Sequence, residues 1–392
     1  MKYVTCLFLV TMFMLQSGQV FVHAEDAPEA DQPLEEKMVN EVSLDGIGKY
    51  WNLIVDEYGG YLPELEKTSV YELVKNNDSF SIKGAISGLI EYLFHELIMN
   101  GKLLGILMLL TLFSVFLQTL HTAFDKGTVS KIAYFIVYIV LLFIALNSFY
   151  LVVNYTKDAI DTMSGFMIAL LPLLLGLMAS IGNLVTVSFL HPIIIMLINV
   201  SGVLVSNVIL PFLFLSALLL IVSTLNESYK VTHLANLFKN VSLGILGGFL
   251  TIFLGVMSVQ GAASAIQDGV GMKTAKFITG NFIPVVGRTF TDAADTVLSA
   301  SLILKNAIGI VGVGIVIFIA LFPALKILAV AIIYKLAAAT LQPIGDGPVI
   351  SSLNTIANYI IYMLACLVAV SFMFFLAIVV IVVASNITLL LR

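Results

Sequence analysis

Long apolar runs dominate the chain from residue 101 onward. About 20 apolar residues cross the hydrocarbon core of a bilayer as a helix, so such runs predict membrane-spanning helices. The clear candidates are Leu103–Phe124, Ile132–Val153, Met163–Val185, Val241–Ile266 and Ile356–Leu391. Two more apolar regions, Val187–Leu225 and Ala307–Leu341, are too long for one span and short for two, which predicts tight hairpins or discontinuous helices. The pattern favours an all-α, polytopic membrane helical bundle with about seven to nine membrane segments, some of them discontinuous.

The first 42 residues do not follow this pattern. Lys2, the apolar run Tyr3–Leu15 and the tripeptide VHA at positions 22–24 are typical of a secretory signal peptide over residues 1–24, cleaved after Ala24. An uncleaved first span is the alternative. Residues 25–42 are acidic and contain two prolines, which predicts a disordered tether. In either case the part that follows is expected to be exported.

Residues 43–100 predict an exported, amphipathic helical segment. Ile47, Trp51, Ile54 and Tyr58 recur at helical spacing and form one apolar stripe. A segment of fewer than about 60 residues makes a poor core by itself. The stripe therefore has two possible roles. It docks on a partner protein or on the membrane domain, or it packs on neighbouring residues of its own segment. A second amphipathic stretch, residues 81–100, is expected at the membrane interface.

Composition supports the membrane assignment. The chain is 60% hydrophobic and 11% charged, with a mean hydropathy of +1.06, whereas a soluble domain carries about 25% charged residues. Residues 25–96 hold most of the acidic side chains behind the net charge of −5. An acidic exported segment disfavours nucleic acid as a partner, and membrane lipid is the expected surrounding. The two cysteines, Cys6 and Cys366, predict no disulfide in the mature chain.

A shift of 112 residues superposes several helix-breaking positions. The aligned pairs are Pro172 with Pro284, Gly202 with Gly314, and Pro211 with Pro323. Glycine and proline are common in membrane helices, so chance is the alternative explanation. A duplication would divide the chain into two first transmembrane helices (101–162), a first membrane repeat (163–268) and a second (269–392). Transporter sites lie where such repeats meet.

The stretch FIPVVGRTFTDAADT, residues 282–296, places polar groups between two apolar runs. Pro284 and Gly287 predict a helix break there. The side chains that would share one helical face after this break are Arg288, Asp292, Asp295 and Ser299. This face predicts either a polar helix that lines or gates an aqueous conduit, or an amphipathic helix on the membrane surface.

The cations near residues 282–296 conflict with a simple count of membrane spans. Counting spans from an exported N-terminus places Lys273, Lys276 and Arg288 outside, against the positive-inside rule. A re-entrant or discontinuous element at residues 282–296 would remove the conflict, because it changes which side the flanking cations occupy.

A second interruption is QPIGDGPVISSLN, residues 342–354. Its residues that forbid a regular helix are Pro343, Gly345, Gly347 and Pro348, and Asp346 adds one charge. The stretch predicts either a plain turn between spans or an unwound segment that faces the conduit.

The apolar region before that interruption carries its own polar and breaking positions. Pro323 is another expected helix break. Lys326 and Lys335 fall on opposite helical faces and are expected to extend to the membrane interface.

The sequence offers no sign of catalytic chemistry. It contains no Walker A loop, and its five histidines are scattered without metal-ligand spacing. No nucleophile, base and orienting residue can be assembled. We therefore expect no enzyme activity, no cofactor and no metal.

Several longer motifs carry a resemblance that spans essentially the whole chain. YWNLIVDEYGGYLPEL, GNFIPVVGRTFTDAADTVL, LQPIGDGPVISSLNTIANYI and SFMFFLAIVVIVVASNITLLLR closely resemble the stage III sporulation protein AE family of endospore-forming bacteria. The resemblance implies a permease-like, multi-pass component of a channel or secretion-like complex between mother cell and forespore. It also implies residence in the outer forespore membrane, sister membrane proteins, a separate secretion-type ATPase and a forespore-side protein as partners. A stand-alone transporter of a small solute and a pore-less scaffold of the same complex remain the alternatives.

Overall fold

The computed structural model describes residues 43–62, 68–75, 82–123, 128–225, 230–282, 286–344 and 347–390. Nearly all of these residues are helical, and no strand occurs among them. The all-α fold class is thus confirmed. The expected signal peptide (1–24) and tether (25–42) lie outside the described residues.

Three helices precede the long apolar ones. They are α1 (Asp45–Tyr58), α2 (Val70–Lys75) and α3 (Ile82–Met99). A 3-10 turn, Gly59–Tyr61, follows α1 directly. A capping box starts α2: the backbone N–H of Ser69 donates to the Glu72 carboxylate (2.9 Å), and the Glu72 N–H donates to the Ser69 hydroxyl (3.2 Å).

Seven longer helices form the bundle. They are α4 (Gly101–Ala123), α5 (Thr128–Ser180), α6 (Leu184–Leu204), α7 (Leu210–Leu225), α8 (Thr232–Phe282), α9 (Val286–Leu341) and α10 (Pro348–Leu390). Helix α10 lies at the centre, where it packs against α5, α7, α8 and α9. Its Val370, Phe374 and Ala377 are fully buried. The N-terminal helices α1, α2 and α3 all contact α9.

Among the described residues, five helical segments are long and apolar enough to cross a membrane, namely α5, α6 together with α7, α8, α9 and α10, or six if α3 and α4, which meet at a bend of 43°, form one span. The expected seven to nine segments are somewhat more than this part of the chain shows. The main reason is α5, which joins two predicted spans, Ile132–Val153 and Met163–Val185, in one helix of 53 residues. That helix is about 80 Å long. The residues between those two predicted spans, including Asp158 and Asp161, lie in the middle of α5.

Some of the predicted helix breaks are present in the structure and others are not. In Val187–Leu225 the discontinuity is a π-helical turn at Val205–Ile209 rather than a hairpin. Helix α9 runs through Pro323 without ending, because neighbouring helices and local adjustments satisfy the backbone groups that a proline frees in a membrane helix. The interruption at 342–347 does separate α9 from α10.

The chain around that last interruption agrees with the sequence. Helix α9 ends at Leu341, a 3-10 turn follows at Gln342–Ile344 and includes Pro343, and α10 begins at Pro348. Proline suits the first helical position, where its missing N–H would be unpaired anyway. Gly347 directly precedes α10, while Gly345 and Asp346 lie outside the described residues.

The proposed repeat boundaries do not coincide with helix ends. The boundary at 162/163 lies inside α5, and the boundary at 268/269 lies inside α8. The duplication remains a prediction.

Candidate functional site: a charged cavity between α1 and the bundle

Polar side chains interrupt the apolar bundle about halfway along α5. Asp158 and Asp161 are exposed there, and the hydroxyl of Ser206 in the π turn lies 3.5 Å from the Asp161 carboxylate. Helix α9 brings Lys326 to the same level, with its Nζ 4.5 Å from the centroid of the Tyr155 ring. Three separate elements of the bundle therefore present polar groups at one height.

Helix α1 covers this level and buries its apolar stripe in doing so. Ile47, Trp51 and Ile54 belong to the core that the bundle helices share, and α1 contacts both α5 and α9. The Trp51 Nε1–H donates to the backbone oxygen of Thr68 at 2.9 Å. The stripe that the sequence offered for partner docking is thus occupied by the chain's own membrane domain.

The fourth residue of the stripe, Tyr58, joins α1 to the bundle through aromatic contacts. Its ring stacks on Phe322 with centroids 3.9 Å apart, and Tyr92 meets both rings edge-on at 5.7 Å and 5.1 Å. Burial, reinforced by the Glu57 and Glu96 carboxylates, raises the pKa of the Tyr58 phenol. The phenol therefore stays neutral over the physiological pH range.

A cavity of about 320 Å³ lies between α1, α5 and α9. Tyr50 and Glu57 line it from α1, Asp158 and Thr162 from α5, and Pro323 from α9. The α5 residues fall one turn apart and so share a helical face. The cavity is therefore built by residues far apart in sequence but regularly spaced within each helix.

Lys326 forms the charged edge of this cavity. Its Nζ lies 4.0 Å from a carboxylate oxygen of Glu96, and their side chains are 31% and 12% exposed. The sequence expected Lys326 to extend to the interface. In the structure it has a carboxylate partner from α3 and lies over the face of Tyr155, and its place relative to the membrane interface remains a prediction.

A second polar cluster lies near the C-terminal end of α10. Lys305 of α9 is 0% exposed, and its Nζ donates to the backbone oxygen of Val382 (3.0 Å) and to Oδ1 of Asn386 (2.9 Å). Beside it, Asn183 donates to the Ser385 hydroxyl at 2.7 Å. These bonds join the α5–α6 turn, α9 and α10 at one end of the bundle.

Asp268 of α8 adds a third helix contact at this end. Its two carboxylate oxygens accept the backbone N–H groups of Val185 (2.9 Å) and Thr186 (2.8 Å) in the first turn of α6. The N-cap residue Asn183 makes no side-chain cap of its own. A carboxylate from a distant helix thus satisfies two orphan N–H groups and complements the α6 dipole.

The predicted conduit-lining face is only partly described. Helix α9 runs through Arg288, Asp292 and Asp295, but their side chains lie outside the described part of the structure, as does Pro284. Ser299 is exposed on α9. The role of this face in a conduit remains a prediction.

Comparison with known proteins decides the family. The sequence model for stage III sporulation protein AE matches residues 65–385. A protein of Bacillus subtilis (strain 168) named "Stage III sporulation protein AE" is 55% identical over 368 residues, which cover 94% of this chain and 92% of that protein. The chain belongs to the stage III sporulation protein AE family. No solved structure matches it.

The stage III sporulation protein AE match assigns this membrane chain to sporulation and confirms the resemblance of its motifs. The matched range begins after α1, so it contains the α5 and α9 sides of the cavity and both end-cluster charges, Lys305 and Asp268.

Sequence reasoning missed Lys305, Glu96 and Asp268. The available signal for Lys305 was a lone cation in the mostly apolar stretch SLILKNAIG. Glu96 and Asp268 gave no comparable signal, because their partners are more than 80 residues away in sequence.

Proposed function

We propose that this chain is the permease-like membrane component of a channel or secretion-like complex that links mother cell and forespore during endospore development. It resides in the outer forespore membrane, with residues 43–100 exported after removal of a signal peptide. It works with sister membrane proteins and a forespore-side protein, and a separate secretion-type ATPase supplies energy. The chain itself catalyses no reaction and binds no nucleic acid.

The observation that supports a permease-like role best is the charged cavity between α1, α5 and α9. Charged groups inside a membrane bundle are costly, and they commonly mark pathways for ions or substrates. Here Asp158 of α5 and Lys326 of α9 lie between apolar runs of their helices, and with the exposed Glu57 of α1 they line about 320 Å³ of space beside Pro323. A pore-less scaffold has no need for such a cavity.

Filling the cavity tests this role. Thr162→Trp should abolish late forespore gene expression and heat-resistant spores, because the indole occupies much of the space. Ile168→Trp is the matched control, since it lies on the same helix and is already 43% exposed. Both variants are expressed in a sporulating strain that lacks its own relative of this chain, and spore counts are compared with protein level and complex assembly.

The outcomes separate the alternatives. Normal sporulation of the Thr162→Trp strain, with the variant present at wild-type level, would overturn a permease role for the cavity and favour the scaffold. Solute uptake by the purified chain alone in vesicles would favour the stand-alone transporter, because a channel subunit needs its partners.

A further inference from the structure

We propose that α3 lies on the membrane surface with one edge inserted among the acyl chains of the lipids. This edge, here called the lipid edge, consists of Ile86, Ile90, Phe94 and Ile98. The inference does not rest on the permease role, because it concerns only where α3 meets the bilayer. It follows from the exposure of the helix, its fixed rotation and its junction with α4.

The lipid edge is a continuous row of exposed apolar side chains. Its members recur every fourth residue, so they form a row about 18 Å long on one side of the helix. In chain order they are 53%, 51%, 60% and 76% exposed. In the described part of residues 43–75, by contrast, the exposed large apolar side chains are Leu53 and Tyr71, which lie on different helices. An exposed apolar row of this kind marks a contact with a partner or with lipid.

A polar row runs beside the lipid edge. Ser87, Glu91 and His95 each directly follow a lipid-edge residue in the sequence, and all three are exposed. A helix that crosses the hydrocarbon core would bring Glu91 into lipid, which is costly for a carboxylate. A helix on the surface keeps this polar row in water while the neighbouring apolar row enters the lipid. The two rows together therefore favour a surface position for α3 over a span.

The third side of α3 packs on the protein and fixes the rotation of the helix. Gly88 and Tyr92 are buried on this side. A Cβ on Gly88 would overlap the backbone oxygen of Tyr61, and the Tyr92 ring meets Phe322 of α9 edge-on at 5.1 Å. Because these contacts hold the third side against the protein, the lipid edge stays on the outside.

The junction with α4 identifies lipid as the cover. Helix α4 follows α3 at a bend of 43°. Its 23 residues extend about 34 Å, enough to cross a hydrocarbon core of about 30 Å. Its outward side chains Leu109 and Phe116 are 67% and 56% exposed, and Lys102 is exposed in its first turn, where a cation can reach lipid headgroups. The lipid edge therefore ends where a lipid-facing helix begins.

Tryptophan quenching tests the two rows separately. The full-length chain is reconstituted in phosphatidylcholine vesicles with Trp51→Phe, which removes its single tryptophan. Phe94→Trp then places one indole on the lipid edge, and His95→Trp is the matched control on the polar row. Both positions are exposed, so neither indole displaces a packed side chain. The quenchers are lipids brominated on their acyl chains, and iodide in the water on both sides of the membrane.

We expect brominated lipid to quench the Phe94→Trp indole at least about twofold more strongly than the His95→Trp indole, because acyl chains reach only the lipid edge. Iodide should quench the two indoles in the reverse order. Equal quenching of both indoles by brominated lipid would overturn the proposal. A Phe94→Trp indole shielded from both quenchers would also overturn it, because a second copy of the chain would then cover the edge.

A second pair of variants keeps Trp51, whose Nε1–H bonds to the Thr68 oxygen. Nitroxide labels are attached at Ile90→Cys and at Glu91→Cys, each in a chain that carries Cys6→Ser and Cys366→Ala. Collisions are measured with oxygen, which concentrates in lipid, and with a nickel chelate, which stays in water. A higher ratio of oxygen to nickel collisions at position 90 than at position 91 supports the lipid edge, and equal ratios would contradict it.

Discussion

Lys305→Glu is expected to abolish accumulation of the folded protein, whereas Lys335→Glu on the same helix is expected to be tolerated. Both lysines lie on α9 and donate to an asparagine Oδ1 of α10, at 2.9 Å for Lys305 to Asn386 and 2.7 Å for Lys335 to Asn354. They differ in environment, because Lys305 is 0% exposed and the Lys335–Asn354 contact is exposed.

The expected loss of stability for each variant follows from this difference in environment. Glutamate at 305 would be a buried carboxylate that faces the Val382 oxygen, an acceptor, and only the neutral Asn386 amide could donate to it after turning over. Such a group costs at least about 3 kcal/mol. Glutamate at 335 can reach water, so its cost stays below about 1 kcal/mol. Lys305→Met lies between them, at about 1–2 kcal/mol, because it leaves Asn386 Oδ1 without its donor.

Detergent-extracted yield and the thermal unfolding midpoint measure these effects. The expected order of stability is wild type, then Lys335→Glu, then Lys305→Met, with Lys305→Glu absent from the monodisperse fraction. Equal yields for Lys305→Glu and Lys335→Glu would contradict the buried position of Lys305.

Asp268→Ala is expected to detach the start of α6 from α8. The substitution removes the acceptor of two backbone N–H groups, those of Val185 and Thr186, and Asp268 is only 4% exposed. Loss of a cap costs about 0.5–2 kcal/mol, and hydrogen bonds to a charged group are worth about 1.5–3 kcal/mol each. We therefore expect a loss of about 2–4 kcal/mol.

The neighbouring Gln267→Ala is the matched control, because that side chain is exposed on the same helix. Hydrogen exchange of the α6 amides, together with the unfolding midpoint, measures the effect. Faster exchange confined to the first turn of α6 in Asp268→Ala supports the cap, and unchanged exchange there would show that another group supplies it.

Apolar patterning predicted the all-α fold class correctly and gave more spans than the described residues show, chiefly because of α5. Hydropathy registers each apolar run separately, and α5 contains two such runs around Asp158 and Asp161. The backbone hydrogen bonds of α5 continue through those residues, because a polar side chain leaves the helical backbone intact. The helix break predicted at Pro323 is also absent, since α9 continues through that residue.

The site was predictable only where its signal is local. The stripe of Ile47, Trp51, Ile54 and Tyr58 was found from helical spacing, but nothing in that spacing says that α5 and α9 cover it. Glu96 and Lys326 are 230 residues apart and meet only because α3 packs on α9. A single charged residue within an apolar run, such as Lys305, could have been predicted as a buried polar contact from the sequence.

The packing of α1 onto α5 forms one wall of the cavity, and one disulfide tests this packing directly. A Cβ placed on Gly46 lies 3.8 Å from the Cβ of Ala169, which matches the mean Cβ separation in disulfides of about 3.8 Å. Gly48, on the same helix, has nothing within 4 Å of such a Cβ, so Gly48→Cys with Ala169→Cys is the control pair. Cys366→Ala removes the buried native thiol in both.

After mild oxidation of the purified protein, the Gly46→Cys/Ala169→Cys pair should form an intramolecular disulfide nearly completely, and the control pair should remain reduced. The bond is read by the gel shift of a chain cleaved at a protease site inserted between α1 and α5. No cross-link at 46–169, or equal cross-linking at 48–169, would contradict the packing of α1 on α5.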